Sequence, residues 1–549
     1  MKAIFLLFFF SLLLMFRQFI TQGYFSVHIG DTFAYTSWAW QFIEVLKDGI
    51  IYPRWMHLDF WGYGSPTFIL YSPLSFYLVA LYNVFTGSII LSMNIAQFTA
   101  LFFSSIGIFF LAKEFYPEKT ALLASIFYIF LPFNMVQMYV LGNFASNISL
   151  LWFSPVLLFT FKYFKNNQYR YLLYAGACYG GLILTHLINA YMFALVIAAY
   201  IIYMSVVMKR LRDVIALPFI ITIGFLLSAA YLLPLLYEKQ FINIKSFSTM
   251  KWLVFNDFFL LPNKTGKLVN LAWTVYYNIY VLNTLFFFII LLFFFLQTIK
   301  LRHIKPLSNL NTINKFFIGV ALGSMFFLFG PSTFLWDGIP FFRYIQFPVR
   351  WLNITAFAIG FLSASCFYVM NTFYSAKMKR YYVIVLLFMI CILLDYKYIS
   401  TPSIFTRQEL IPVQDVYWTY EHLPVWVDIK KVDKNNFREK AVIIRGEGKA
   451  EVTKWKPCDR IVEIVAKQTL TIRLRTFNFP GWKAYIDGMQ TEIKTEEGTG
   501  AMIINIPQKE HILELRFEDT PIRYYSKIIS LVSFCALCFF ALFFKNKST

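Results

Sequence analysis

Apolar runs of about twenty residues, separated by short clusters of Lys and Arg, recur along most of this chain. Wound as a helix, a run of that length matches the hydrocarbon thickness of a bilayer. Inside a bilayer, backbone polar groups must be satisfied within the segment itself, which leaves helices as the form such runs take. The residues are 59% hydrophobic, 21% aromatic and only 14% charged, with a mean hydropathy of +0.60, so an integral membrane protein is expected. The formal net charge of +20 fits the excess of Lys and Arg that polytopic proteins keep in cytoplasmic loops. Nucleic acid is therefore not expected as a partner.

The basic clusters set the topology. They fall at Lys113 and Lys119; Lys162, Lys165 and Arg170; Lys209, Arg210 and Arg212; Lys300, Arg302 and Lys305; Lys377, Lys379 and Arg380; and Lys545 and Lys547. With each cluster inside, every intervening stretch crosses an even number of times. Spans are predicted near 3–22, 89–112, 120–137, 149–164, 171–187, 188–207, 214–236, 281–299, 315–331, 351–371, 381–395 and 526–544. The first run is longer than a signal-peptide core and has no small-x-small site before Gly23, so it is expected to stay as a span. Both termini are then cytoplasmic, and the stretches 23–88, 237–280, 331–350 and 396–525 are outside. The apolar stretch from Pro73 to Phe85 must be interfacial or re-entrant, because one more crossing would invert every later cluster.

From Ala441 to Phe517 the pattern changes to short alternating segments such as "RIVEIVAK", "LTIRLRTF" and "HILELRF", divided by Gly, Pro and Asp-Gly turns. Period two predicts a β-sandwich-like domain. The expected division is 1–395 for the membrane domain, 396–525 for the outer β domain, and 526–549 for a last span and tail. The six Cys are scattered and give no disulfide framework; Cys535 and Cys538 form a CxxC within an apolar helix, where packing is the plainer reading.

Four passages carry a resemblance. The first outer loop holds "HIGD", "DGIIYPRW" and "GYGSPTFILYSPLSFYL"; further on come "LTHLINA" at Leu184, "IQFPVRWLNI" at Ile345 and "FNFPGWKAYIDG" at Phe477. In this order they resemble the 6-pyruvoyl-tetrahydropterin-synthase-related membrane family, with a tail similar to YfhO-like bacterial membrane proteins. The family is similar to glycosyltransferases of the GT-C fold. The resemblance implies a polytopic α-helical protein of about 12 transmembrane helices, GT-C-like, in the bacterial cytoplasmic membrane. It implies hexosyl or pentosyl transfer from a polyprenyl-phosphate donor to a glycan, lipid or protein acceptor. It also implies an essential acid in the first outer loop, the position Asp31 holds.

A carboxylate there suits the chemistry, since an acceptor hydroxyl must lose its proton as it attacks the anomeric carbon. Asp31 equally precedes "TFAYTSWAWQFIEVL", an amphipathic helix it can cap. His28, three residues earlier, can orient Asp31 or contact phosphate, or be an ordinary interfacial His. Arg54 and Arg350 each stand beside a Trp at a predicted membrane edge, where a guanidinium either grips a phosphate or snorkels to the interface. Arg343 lies at the mouth of the same loop as Arg350. His57 and His186 complete the substrate-binding candidates, with a satisfied core role the alternative for His186. Lys239, Lys245, Lys251, Lys264 and Lys267 make an outer basic loop that can attract anionic headgroups or be merely solvated. "PGWKAYIDG" reads as a strand pair, with Trp482 a possible sugar platform.

One departure from the GT-C pattern stands out. A second acid is expected in "LGNFASNISLLWFSPVLL", yet Leu141 to Asn147 holds none; Ser146 stands at its place, with Asn143 and Asn147 as neutral substitutes. No cofactor is therefore predicted, and a divalent metal lacks the charged oxygens it prefers. The rival readings are a lipid-linked saccharide transporter or flippase, and a non-catalytic scaffold for envelope assembly. Membrane lipids are partners under all three.

Overall fold

The computed structural model describes residues 1–21, 24–25, 32–139, 142–244, 259, 308–340, 342–373, 404–405, 420–434 and 439–545. The expected spans 281–299 and 381–395 lie outside these residues. So do Asp31, His28, Lys245, Lys251, Lys264 and Lys267.

Helix α1 covers Lys2–Thr21, α2 Thr32–Lys47, α3 Leu74–Thr86 and α4 Ile89–Lys113. At 13 residues α3 is too short to cross. It stops at Gly87, whose φ of 63° sends the chain back, and Ser88 then caps α4 with its Oγ 3.4 Å from Leu91 N. There follow α5 (Glu118–Ile129), α6 (Pro132–Tyr139), α7 (Phe144–Ser149), α8 (Phe153–Asn166), α9 (Arg170–Thr185) and α10 (Leu187–Val207). Next are α11 (Ala216–Leu227), α12 (Ala229–Glu238), α13 (Ser308–Phe326), α14 (Leu352–Phe373) and α15 (Pro521–Lys545). Among the described residues seven stretches are long and apolar enough to cross a membrane, and nine if two sharply bent pairs each count as one.

With lipid outside, helices gain little from mere apolarity, so close contact decides their packing. α9 lies on α11 at Gly180, where a methyl group would come within 3.3 Å of Gly224 O. Phe153 stacks on Phe193 at 4.2 Å between α8 and α10, and Phe317 on Phe361 at 4.0 Å between α13 and α14.

The expected span 214–236 is not one straight helix: α11 and α12 meet at 84°. The cause lies on α15. Ser530 Oγ inserts into the helical ladder, 2.8 Å from Ala230 N and 3.4 Å from Leu226 O, the two atoms an unbroken helix would bond to each other. Ser228 Oγ bonds back to Gly224 O at 2.7 Å, and Pro234, within α12, has no N–H to offer Ala230 O. The expected span 315–331 is bent too, with a 95° turn into Gly330–Gly338.

The alternating segments form antiparallel strands: β3 Ala441–Arg445, β4 Gly448–Trp455, β5 Asp459–Ala466, β6 Leu470–Phe477, β7 Trp482–Ile486, β8 Met489–Thr491, β9 Lys494–Thr495, β10 Ala501–Ile506 and β11 Lys509–Phe517. Tyr24–Phe25 and Ile404–Phe405 make a separate pair, β1 and β2. One sheet runs β3-β6-β10-β9 and the other β4-β5-β11-β7-β8. Ile464, Ile472, Leu474, Ile504, Leu513 and Leu515 bury their side chains between them. The β7–β8 turn falls at Asp487 and Gly488, both with positive φ (48° and 81°), the primed turn that matches strand twist.

Residues 48–73 of the first outer loop pack into this β unit. Tyr63 stacks on Phe477 at 4.9 Å and its carbonyl accepts from Phe477 N, while Trp55 packs edge-on against Trp482. Arg475 lies over the Tyr63 ring and donates to Trp61 O at 3.2 Å. The side chains of Arg523 (α15) and Glu238 (α12) form an ion pair, almost wholly buried, with Nη2 2.9 Å from Oε2. The same Nη2 is 2.8 Å from Pro480 O in the β unit. Helices and β unit thus share one buried charge pair.

Candidate functional site

Polar side chains within spans are costly unless they pair. Six side chains do so at or beside the ends of α6, α7, α10 and α14. Asn143 donates to Gln137 Oε1 (2.8 Å), and Gln137 Nε2 donates to Asn353 Oδ1 (3.2 Å). Asn353 Nδ2 reaches Ser146 Oγ (3.3 Å) and Asn189 Oδ1 (3.4 Å). Asn189 Nδ2 donates to Ser146 Oγ (3.0 Å) and Ser149 Oγ (2.7 Å). Beside them Asn147 is almost fully buried, and neither its amide oxygen nor its nitrogen has a partner among the described residues. The stretch where a second acid was expected is therefore built into a neutral amide and hydroxyl cluster. It can offer donors and acceptors to a bound group, but no proton-accepting carboxylate.

His186 and Arg350 flank the cluster from matching positions, three residues before Asn189 and Asn353. His186 ends α9 in an extended conformation and caps α10, its Nδ1 accepting from Asn189 N at 3.1 Å. Arg350 sits in a turn, Pro348–Trp351, with Nη1 2.7 Å from Ile345 O and 2.9 Å from Gln346 Oε1.

The first loop reaches the same place. Ser72 Oγ donates to Ile183 O (2.9 Å), and Tyr35 and Tyr71 share a hydroxyl bond of 2.5 Å. The Tyr35 ring lies 6.0 Å from Phe144 at the start of α7. Thr32, the residue after Asp31, is fully buried against Gly142, where φ is +58° and a methyl group would fall 2.0 Å from Thr32 Oγ1.

A second polar node joins the first loop to residues 420–434. Asp59 Oδ2 accepts from Ser65 Oγ (2.5 Å) and Thr67 Oγ1 (3.1 Å), and Oδ1 accepts from Gln41 Nε2 (2.9 Å). Thr67 Oγ1 is also 3.0 Å from His422 Nδ1, and His422 packs on Trp38. Burial raises the Asp59 carboxyl to about 6, in spite of the hydrogen bonds from Ser65, Gln41 and Thr67. Burial drives His422 down to about 3.

The other expected residues lie elsewhere. Arg54 is buried, with Nη2 3.2 Å from Ala230 O, its guanidinium 3.7 Å over the Tyr52 ring, and Nε 4.0 Å from Asp519. His57 is half-buried in the first loop, pushed down to about 3 by desolvation and then by the Arg460 charge. Arg343 is exposed and paired with Asp337 at 2.8 Å. Of the described candidates, then, His186 and Arg350 meet at one site, while Arg54, His57 and Arg343 do not join it. Gln137, Asn189 and Asn353 were not foreseen. The signal was available, as amides inside apolar runs, and Asn189 even lies within "LTHLINA".

Spanning helices with a polar cluster at their ends and a β unit beyond make this an integral membrane protein of the polytopic α-helical class. Residues 68–396, more than half of the chain, match the family described as 6-pyruvoyl-tetrahydropterin synthase related domain, membrane protein; the chain belongs to that family. No curated protein matches it by sequence. Among solved structures it is similar to the archaeal oligosaccharyltransferase AglB from Archaeoglobus fulgidus in complex with an inhibitory peptide and a dolichol-phosphate. The TM-score is 0.42 and the identity 14%, over 74% of this chain and 56% of that one. An oligosaccharyltransferase from the same organism, with Zn and sulfate, matches with a TM-score of 0.42 and 12% identity, over 74% and 54%. The chain thus spans little more than half the length of either.

Proposed function

We propose that this protein is a membrane glycosyltransferase that moves a sugar from a polyprenyl-phosphate carrier to an extracytoplasmic glycan, lipid or protein. The observation that supports it is the seat of Thr32 against Gly142. This holds the residue next to Asp31 beside the buried cluster of Gln137, Asn143, Ser146, Asn189 and Asn353. In this reading Asp31 accepts the proton of the acceptor hydroxyl as its oxygen attacks the anomeric carbon. The bond from that carbon to the carrier phosphate breaks in the same displacement, with inversion, and polyprenyl phosphate leaves. Arg350 steadies the departing phosphate, and the amide cluster holds sugar hydroxyls. His186 borders the same cluster, and in this reading His28 orients Asp31 or contacts the phosphate.

The first loop and the β unit then face the outside of a bacterial cytoplasmic membrane, with both ends of the chain inside. The membrane part is 1–395, the outer β domain 396–525 and the last span and tail 526–549. The test is mass spectrometry of lipid-linked sugars and envelope glycans from cells lacking the protein, complemented with wild type or Asp31→Asn at equal abundance. Restoration by wild type alone supports transfer. Equal restoration by both makes Asp31 a helix cap and moves the reading to a saccharide transporter or an assembly scaffold.

A further inference from the structure

The β unit has a cavity of its own. The turn from Asn478 to Pro480, the β7–β8 hairpin and the segment carrying Trp426 line an open cavity of about 480 Å³, within the range of small-molecule sites. Trp426, Phe479 and Trp482 form its apolar side; Asn478, Gln490 and Thr491 supply amides and a hydroxyl. The walls are fixed in place. Trp426 Nε1 donates to Asn478 O (3.0 Å), and Asn478 Nδ2 donates to Thr495 Oγ1 (2.8 Å). Asp428 N bonds Gly498 O at 2.7 Å, which holds the Trp426 segment against the sheet. Trp482 is buried and its indole Nε1 has no partner among the described residues. Gln490 and Thr491 are on β8, which ends its sheet and is paired on one side only, so its outer edge can meet a ligand.

The charges narrow the ligand. Lys483 lines the cavity, but its Nζ is held by Glu518 at 2.7 Å. Glu492, also on the rim, adds a negative charge. A phosphate or a uronic acid would thus meet a carboxylate and a cation already matched. The half-buried Trp426 ring, with neutral amides and hydroxyls around it, suits a ring that is apolar on its C–H face and hydroxylated at its edge.

We propose that this cavity binds a neutral saccharide, with room for roughly one or two pyranose rings. Its place in the fold fits a glycan that ends at a membrane. Pro480, on its wall, accepts from Arg523 in the first turn of α15, and Phe241, just beyond α12, lies 6.4 Å from Trp426. The cavity therefore sits where two helices join the β unit. Its lining shares no residue with the Ser146 cluster, and the inference does not depend on Asp31 being a base.

The test uses full-length protein in nanodiscs, titrated with cellotriose, maltotriose, mannotriose and the N-acetylglucosamine trimer. Tryptophan emission and saturation-transfer NMR report binding. At least one trisaccharide should bind with a Kd below about 10 mM. Trp426→Ala and Gln490→Ala should each weaken it about fivefold or more, and Thr491→Arg should abolish it. Asp31→Asn should leave it unchanged. Because Trp426→Ala also removes the bond to Asn478, the two β8 variants, checked for an unchanged melting temperature, carry the decision. The proposal fails if no trisaccharide binds at about 10 mM, if the β8 variants bind as wild type, or if inorganic phosphate competes for the site.

Discussion

Arg54 donates to the carbonyl of Ala230 at 3.2 Å, and Ala230 is the residue whose helical partner would have been the N–H that Pro234 lacks. The first loop thus supplies the hydrogen bond that a proline removed from a membrane helix 176 residues away. Arg54→Ala should lower stability by about 1–3 kcal/mol, through one orphaned carbonyl and the lost packing on Tyr52. Pro234→Ala restores an amide at that place and should recover part of the loss. Thermal unfolding of the four proteins of this double-mutant cycle gives the coupling; strictly additive effects would disprove the pairing.

Glu238 and Arg523 predict an asymmetric result. Removing either partner leaves a buried charge, so Glu238→Gln or Arg523→Met should each cost about 3–5 kcal/mol. Glu238→Leu with Arg523→Met should cost much less than either single change. Denaturation in detergent, followed by near-UV circular dichroism, separates these outcomes.

Stability should depend on pH through the seam between the first loop and the β unit. His57 and His422 stay neutral when folded down to about pH 3 but take up a proton near 6.5 when unfolded. The unfolded chain binds more protons in that window, so their contribution to stability rises with pH. Asp59 acts in the opposite sense between its ordinary 3.8 and about 6, since the folded protein holds that proton longer. Two histidines outweigh one carboxylate, so the melting temperature should fall on going from about pH 7 to about pH 5. His422→Asn should flatten the slope and Asp59→Asn should steepen it. The reverse order would overturn the assignment.

Gly142→Ala tests the contact beside Asp31. The new methyl meets Thr32 Oγ1, and alanine at φ +58° is itself strained. Complementation in the lipid-linked sugar assay should drop severalfold or more, while the β unit, probed by protease resistance of residues 441–517, stays intact. Full complementation would mean that Thr32 has no bearing on function.

Asn353→Leu should strip Gln137 Nε2 and Asn189 Oδ1 of a partner at once, for a cost of about 1–3 kcal/mol per orphaned group. Melting temperature measures it. A loss smaller than that of a surface Asn→Leu control would mean the cluster contributes nothing.

Residues next to one another in sequence announced much of this fold. The apolar runs declared their helices because length and charge act locally, and the period-two segments declared their strands for the same reason. Asp487-Gly488 declared its turn. What stayed hidden depends on partners far apart along the chain. Ser530 bends a helix 300 residues earlier, Thr67 meets His422 across 355, and Gln137 meets Asn353 across 216. Arg54 resembled a phosphate ligand beside its Trp because nothing near it reveals that Pro234 leaves a carbonyl to be filled. Asn189 was in plain view within a quoted motif, but its weight depends on Ser146 and Asn353, which only folding brings to it.

The contacts made by α15 also impose a timetable. Translation delivers Arg523 285 residues after Glu238, and Ser530 300 residues after Ala230. Until then Glu238 lacks the guanidinium that neutralises it, and nothing has yet opened the ladder between Leu226 and Ala230. The bend and the buried charge pair are therefore both settled by one late helix.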